Sequence, residues 1–188
     1  MYRDISFGSF GVGQRDDFDM IHAMSKIEYP YLPAGRTLLY VPALNEFIEK
    51  AKEFARKHNT VRHVGAAVVV KSGRIIGEGS IGAGFHGEHG GCIREEMNVP
   101  TGTQYDLCKG CNYEYHSEVS AIRNARERGN DPDGADLYLW GHWWCCEPCW
   151  NEMIEAGIKN VYLLEGSERL FNKEHPGNII GRQFEATV

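Results

Sequence analysis

His116-Ser117-Glu118 and Cys146-Glu147-Pro148-Cys149 are the two stretches on which the reading of this chain turns. Each opens a predicted helix, and one short apolar segment with strand character, Leu137 to Trp140, runs between them. The first helix spans His116 to about Glu127, carries Val119, Ile122 and Ala125 on one face, and is stopped by Gly129-Asn130-Asp131-Pro132. In the second, Pro148 falls in the first turn, Met153 and Ile154 point inward, and Gly157 stands where a helix end takes a left-handed residue. Val161 to Leu164 follows as another buried strand. Strands alternating with helices imply a layered α/β domain whose later strands are parallel and joined by right-handed crossovers. Both helix starts then fall at one edge of the sheet. There one imidazole, from His116, and two thiolates, from Cys146 and Cys149, meet as good zinc ligands. A catalytic zinc takes three protein ligands and keeps its fourth position open. Glu118, near the start of its helix, is left free to carry protons.

Working outward, Leu44, Phe47, Ile48, Ala51, Phe54 and Ala55 recur at helical spacing from Pro42 to about His58, which predicts an amphipathic helix laid on the sheet. Val64 to Val70, the turn Lys71-Ser72-Gly73-Arg74, and Ile75 to Ser80 read as a hairpin. Residues 1–41 are rich in glycine and aromatics and are expected to be an irregular arm. Residues 42–188 form the domain, with a cysteine-containing insertion at 82–115. The tail from Ser167 is expected to hold a short helix around Arg169-Leu170-Phe171 and a final strand at Ile179-Ile180.

The chain has 188 residues, 42% of them aliphatic or aromatic and 24% charged, which suits one globular domain. A net charge of -6 argues against a general nucleic-acid surface and for a small-molecule substrate. No apolar run approaches the roughly 20 residues of a membrane span, and Met1-Tyr2-Arg3-Asp4 does not begin a signal peptide, so a cytoplasmic protein with no membrane contact is expected. Six cysteines with two C-x-x-C pairs then point to metal rather than disulfides.

An H-x-E motif followed downstream by P-C-x-x-C is the signature of zinc nucleobase deaminases, with Cys145 here in the place of the proline. The chain resembles the cytidine deaminase superfamily, closest to the deoxycytidylate (dCMP) deaminase group. The similarity runs from about Pro42 to Glu165. It includes Val64-Gly65-Ala66-Ala67-Val68-Val69, Gly73-Arg74-Ile75-Ile76, Ala121-Ile122, Asp136-Leu137-Tyr138 and Ala156-Gly157-Ile158. It extends to Cys92-Ile93-Arg94, Pro100-Thr101-Gly102 and Tyr105-Asp106-Leu107-Cys108 in the insertion. The resemblance implies a three-layer α/β/α fold with a five-stranded mixed sheet. It also implies zinc held by His116, Cys146 and Cys149, with Glu118 as the proton shuttle. The reaction implied is hydrolytic removal, as ammonia, of an amino group from a nucleobase, nucleoside or nucleotide, with dCMP or cytosine-type substrates favoured. Family members are commonly homo-oligomers.

Three departures stand out. Cys145 replaces the proline, and the segment from Tyr138 to Cys146 is slightly long. Gly79-Ser80-Ile81-Gly82 stands where the dCMP group has Gly-Tyr-Asn-Gly, whose asparagine contacts the sugar, and Ile81 cannot make that hydrogen bond. Other readings are a deaminase of a base in nucleic acid, a deaminase of a purine or other amino-heterocycle, and a non-enzymatic, zinc-stabilised binding module. In the last, Cys145 or His142 would close the metal as a fourth ligand.

Cys92, Cys108 and Cys111, joined by His89 or His86, form a second candidate zinc site stapling the insertion, or are simply buried small hydrophobes. Trp143 and Trp144 are candidates for the walls of a substrate pocket, and His142 for a substrate hydrogen bond.

Overall fold

Alternating residues of one continuous apolar strand supply the two faces on which this molecule is built. The computed structural model describes residues 30–58, 65–82, 91–99 and 104–185. Strands β1 (Leu38–Val41), β2 (Ala66–Lys71), β3 (Arg74–Ser80), β4 (Asp136–Trp140) and β5 (Asn160–Leu164) form one sheet in the order β1-β5-β4-β2-β3. The sheet is mixed: β1 with β5 and β5 with β4 pair parallel, β4 with β2 and β2 with β3 antiparallel. The helices are α1 (Glu46–His58), α2 (Ile93–Glu96), α3 (Ser117–Glu127), α4 (Glu147–Glu155) and α5 (Ser167–Phe171).

Ala66 to Val70 are all buried, because helices cover the sheet on both sides. Ala67, Val69, Leu137, Leu139 and Leu163 pack with Ala121 and Ile122 of α3 and Cys149, Trp150 and Met153 of α4. Ala66, Val68, Tyr138, Trp140 and Leu164 pack on the opposite face with Ile48, Ala51 and Ala55 of α1 and Leu170 and Phe171 of α5. The result is the expected α/β/α layering around a five-stranded mixed sheet. The hairpin turn has Ser72 at φ 51° and Gly73 at φ 72°, two successive left-handed residues whose twist matches the flanking strands.

Helix α3 lies unusually close to β3. A Cβ on Gly79 would run into the backbone of Ser117, Ser120 and Ala121, and one on Gly77 into Ala121 and Ala125. Two glycines on the same face of one strand therefore let the helix carrying His116 and Glu118 settle against the sheet.

The structure differs from expectation in four places. Helix α1 begins at Glu46, not Pro42: the Asn45 side chain accepts from the backbone N–H of Phe47 (3.0 Å) and Ile48 (3.2 Å), while Pro42 starts a preceding turn through Asn45 N–H to its carbonyl (2.9 Å). Leu44 lies in that turn, so it is 93% exposed and not on the apolar face. Leu38–Val41, expected in the irregular arm, is strand β1, in register with Val161 to Leu164 of β5. Ile179 and Ile180 form no strand; they follow α5 in turns and pack against the α1 side of the sheet. Ile154 is 40% exposed, and Met153 alone of that pair turns inward. Residues 1–29 of the arm, and Val64, lie outside the described residues.

Candidate metal centre and active site

The start of β2, the end of β3 and the end of β4 lie together, since Ala66 pairs with both Ser80 and Trp140. Helices α3 and α4 begin at this same edge. The residue that starts each helix is a candidate ligand: His116 caps α3 at φ -69° and ψ 151°, and Cys146 caps α4 at φ -72° and ψ 159°. Neither side chain caps the free backbone N–H groups of the helix it precedes. The backbone at a cap is extended while the chain behind it is helical, which lets both side chains turn away from their helices and toward each other.

They meet Cys149, one turn into α4. His116 Nδ1 stands 3.3 Å from Cys149 Sγ and 3.4 Å from Cys146 Sγ, and the two sulfurs are 3.2 Å apart. The other ring nitrogen, Nε2, is 3.1 Å from the carbonyl oxygen of Cys111. A carbonyl only accepts, so Nε2 carries the hydrogen and Nδ1 presents its lone pair to the thiols. Around a tetrahedral zinc with Zn–S of about 2.3 Å and Zn–N of about 2.0–2.1 Å, such atoms stand roughly 3.5–3.8 Å apart. The three donors need open by only a few tenths of an ångström, and they fit the ion. Among the described residues no further His, Cys, Asp or Glu joins this cluster. In particular, neither Cys145 nor His142 is part of it.

Charge at the site follows from this packing. The Cys146 pKa is lowered to about 6 by the hydrogen bond it shares with Cys149, against the cost of burial and with the help of His116. Cys149 is correspondingly raised, first by that same shared hydrogen bond and then by burial. His116 is pushed down by burial, but the bond to Cys146, the charges of Cys146 and Glu118 and the Cys111 carbonyl outweigh this and raise it. The pair of sulfurs therefore holds one negative charge readily even before a metal removes the second proton.

Glu118 is 4% exposed and accepts a hydrogen bond from the Ser117 hydroxyl at 3.1 Å. The buried Cys145 thiol is raised well above its ordinary value, first by burial and then by the nearby Glu118 charge. The residue that replaces the motif's proline thus lies near the Glu118 carboxylate and outside the three-donor cluster. His142 lies over Gly65 near Ser117, so close that a side chain at Gly65 would collide with its ring. Burial lowers its pKa, opposed by Glu118, and favours a neutral imidazole.

Trp143 and Trp144 are partly buried and meet edge to face at 6.2 Å. Trp144 packs with the cluster that includes Cys145, Cys146 and Cys149, whereas Trp143 packs on the opposite face of the sheet. The structure therefore separates these two candidates for the pocket wall. Cys92, Cys108 and Cys111 come together as a second cluster whose sulfurs lie within 4.8 Å of one another. Burial raises the Cys111 thiol to about 12, against the hydrogen bond from Arg94. His86 and His89 lie outside the described residues. The Cys111 carbonyl and Gly65 could not be picked out from motif spacing, since each meets its partner, His116 and His142, only on folding.

The chain belongs to the family described as the cytidine and deoxycytidylate deaminase zinc-binding region, which matches residues 42–165. ComE operon protein 2 of Bacillus subtilis (strain 168) is 33% identical over 104 residues, 54% of this chain and 48% of that protein. The chain thus spans about half the length of this curated relative. Among solved structures it is similar to the apo dCMP deaminase from cyanophage S-TIM5, at 24% identity over 62% of this chain and 78% of that one, with a TM-score of 0.41. It is also similar to guanine deaminase from Bacillus subtilis, at 23% identity over 64% of each chain, with a TM-score of 0.37. No helix among the described residues is long and apolar enough to cross a membrane.

Proposed function

We propose that this protein is a zinc-dependent hydrolytic deaminase of a small nucleobase-containing compound, with dCMP and cytosine-type substrates favoured by its family. The observation that carries this reading is the three-donor cluster of His116, Cys146 and Cys149, with no fourth described ligand in it, beside the buried carboxylate of Glu118. A zinc ion bound there supplies a water acidic enough to serve as nucleophile near neutral pH. The chain's own residues do the rest. Glu118 takes a proton as oxygen adds to the ring carbon that bears the exocyclic amine, and delivers it to the adjacent ring nitrogen. It then relays a second proton to the amine, which leaves as ammonia while the carbon becomes a carbonyl. Ser117 holds that carboxylate, and the Cys111 carbonyl holds the His116 ring.

Within this class, Ile81 bears on the choice of substrate. Its N–H is taken up by the Gly65 carbonyl at 2.9 Å, and its side chain offers no donor to a sugar. This favours a free base or an altered nucleotide over dCMP itself. The excess of acidic over basic residues weighs against a polynucleotide substrate. Six free cysteines suit a reducing compartment such as the cytoplasm. A homo-oligomer is the assembly expected of this family, and sedimentation measures it.

The deciding experiment is ammonia release by zinc-loaded protein across cytosine, cytidine, dCMP, guanine and adenine compounds. Turnover is expected for at least one, and Glu118→Gln is expected to lower it by about 10²–10⁴-fold while keeping the zinc. Release unaffected by Glu118→Gln overturns the assignment of Glu118, and a zinc-loaded chain inert across the panel favours the binding module. A clear preference for dCMP refutes the shift in substrate inferred from Ile81.

A further inference from the structure

We propose that Cys92, Cys108 and Cys111 bind a second zinc ion and that this ion positions His116 at the first. Cys92 immediately precedes α2, and Cys108 and Cys111 flank a single 3-10 turn closed by Cys111 N–H to the Cys108 carbonyl at 2.9 Å. That turn puts the two thiols of a C-x-x-C pair on one side, and the start of α2 brings the third against them. Cys92 Sγ and Cys111 Sγ are 3.3 Å apart, and the three residues are only 3%, 6% and 7% exposed. The separation is far beyond the roughly 2.05 Å of a disulfide, and three sulfurs converge rather than two.

Energetics ask for an ion here. The described part of this segment contains no strand, and its apolar cluster consists of these three cysteines and a partly buried Tyr105. Ordering backbone costs conformational entropy that so small an apolar cluster does little to offset. A bound zinc supplies folding free energy directly. Charge agrees. A zinc ion on three thiolates carries one net negative charge, and Arg94, 9% exposed, places its guanidinium beside Cys111 and 4.2 Å from the Tyr105 ring centroid.

The link to the first site is direct. The carbonyl of Cys111 accepts the His116 Nε2 hydrogen at 3.1 Å, and the Tyr105 ring meets the His116 ring edge to face at 5.5 Å. Both groups that orient this imidazole belong to the segment the second ion would hold. This positioning role rests on His116 being a zinc ligand; the second site does not.

Elemental analysis of the purified full chain tests both parts. Two zinc ions per chain are expected, falling to one in Cys108→Ser and, independently, to one in Cys146→Ser. Cys108→His, which keeps a ligand, is expected to retain two. In Cys108→Ser the remaining zinc should be lost to a competing chelator with an affinity about 10–100-fold weaker than in the parent, the usual effect of loosening a ligand's hydrogen-bond partner. A parent chain holding one zinc that Cys146→Ser removes, or two thiols missing from a titration of the denatured chain as a Cys92–Cys111 disulfide, overturns the second site. Unchanged retention in a Cys108→Ser chain that has lost one ion overturns the positioning role alone. A Cys146→Ser chain that keeps all its metal counts against the first site instead. If Cys108→Ser does not fold, the parent stoichiometry and Cys108→His still decide the question.

Discussion

The Nε2 hydrogen of His116 points at the carbonyl oxygen of Cys111, 3.1 Å away, so a backbone atom of the insertion selects the ring nitrogen that faces Cys146 and Cys149. Removing the ring removes a direct donor, a larger loss than misorienting it. His116→Ala should weaken zinc binding at this site by more than about 100-fold, measured by chelator competition. Retention equal to the parent would mean that Nδ1 is not a ligand.

Glu118 is buried, accepts from the Ser117 hydroxyl and has the Cys145 thiol near its charge as a second donor to be tested. Cys145→Ala leaves this carboxylate one donor short and should cost about 1–3 kcal/mol in urea-induced unfolding, whereas Cys145→Ser keeps an O–H in place and should recover most of it. Equal midpoints for all three proteins would show that the thiol does not support the acid.

Gly79 lies under the first turns of α3, where a methyl group would strike helix backbone rather than a movable side chain. Gly79→Ala should therefore destabilise the fold by about 1–3 kcal/mol and, by shifting the helix that carries His116, also weaken zinc retention. Gly129→Ala serves as a comparison. Its φ of 75° strains an alanine, but the space around it is empty, so only stability should change. Unimpaired zinc retention in a destabilised Gly79→Ala would separate helix placement from the metal site.

Burial holds His142 below its ordinary value, and Glu118 only partly restores it. In the unfolded chain a histidine titrates near about 6.5. The unfolded state therefore binds this proton at higher pH than the folded state does. The associated stability is whole above about pH 6.5 and is lost as pH falls through the lower folded value. His142→Gln should flatten the acid limb of Tm against pH relative to the parent. Parallel curves would assign that limb to other groups.

Asn45 caps α1 through two backbone hydrogen bonds on the side of the sheet away from α3 and α4. Asn45→Ala should cost about 1 kcal/mol and leave zinc retention untouched. Loss of metal in this variant would show that the two faces are coupled more tightly than their separate cores suggest.

Much of this was legible in the chain because its signals are local. The apolar run before Lys71, the Ser72-Gly73 turn after it, Pro148 at a helix start and Gly157 at a helix end each state a conformation within a few residues. β1 is not legible in the chain because four residues between Pro33 and Pro42 carry no pattern of their own and become a strand only beside β5. The place of Leu44 is not legible either, because helical spacing alone does not tell a turn that Asn45 closes from the first turn of the helix.

The amino-acid sequence by itself determined the donor set, His116, Cys146 and Cys149, and the acid two residues beyond the histidine, since residue type and the start of a helix decide what an atom can donate and roughly where it stands. Only the tertiary structure decided which imidazole nitrogen is free and that Cys92 meets Cys108 and Cys111. Those are contacts between segments that share no local signal, and they exist only once Gly77 and Gly79 have let α3 down onto the sheet and the insertion has folded against its first turn.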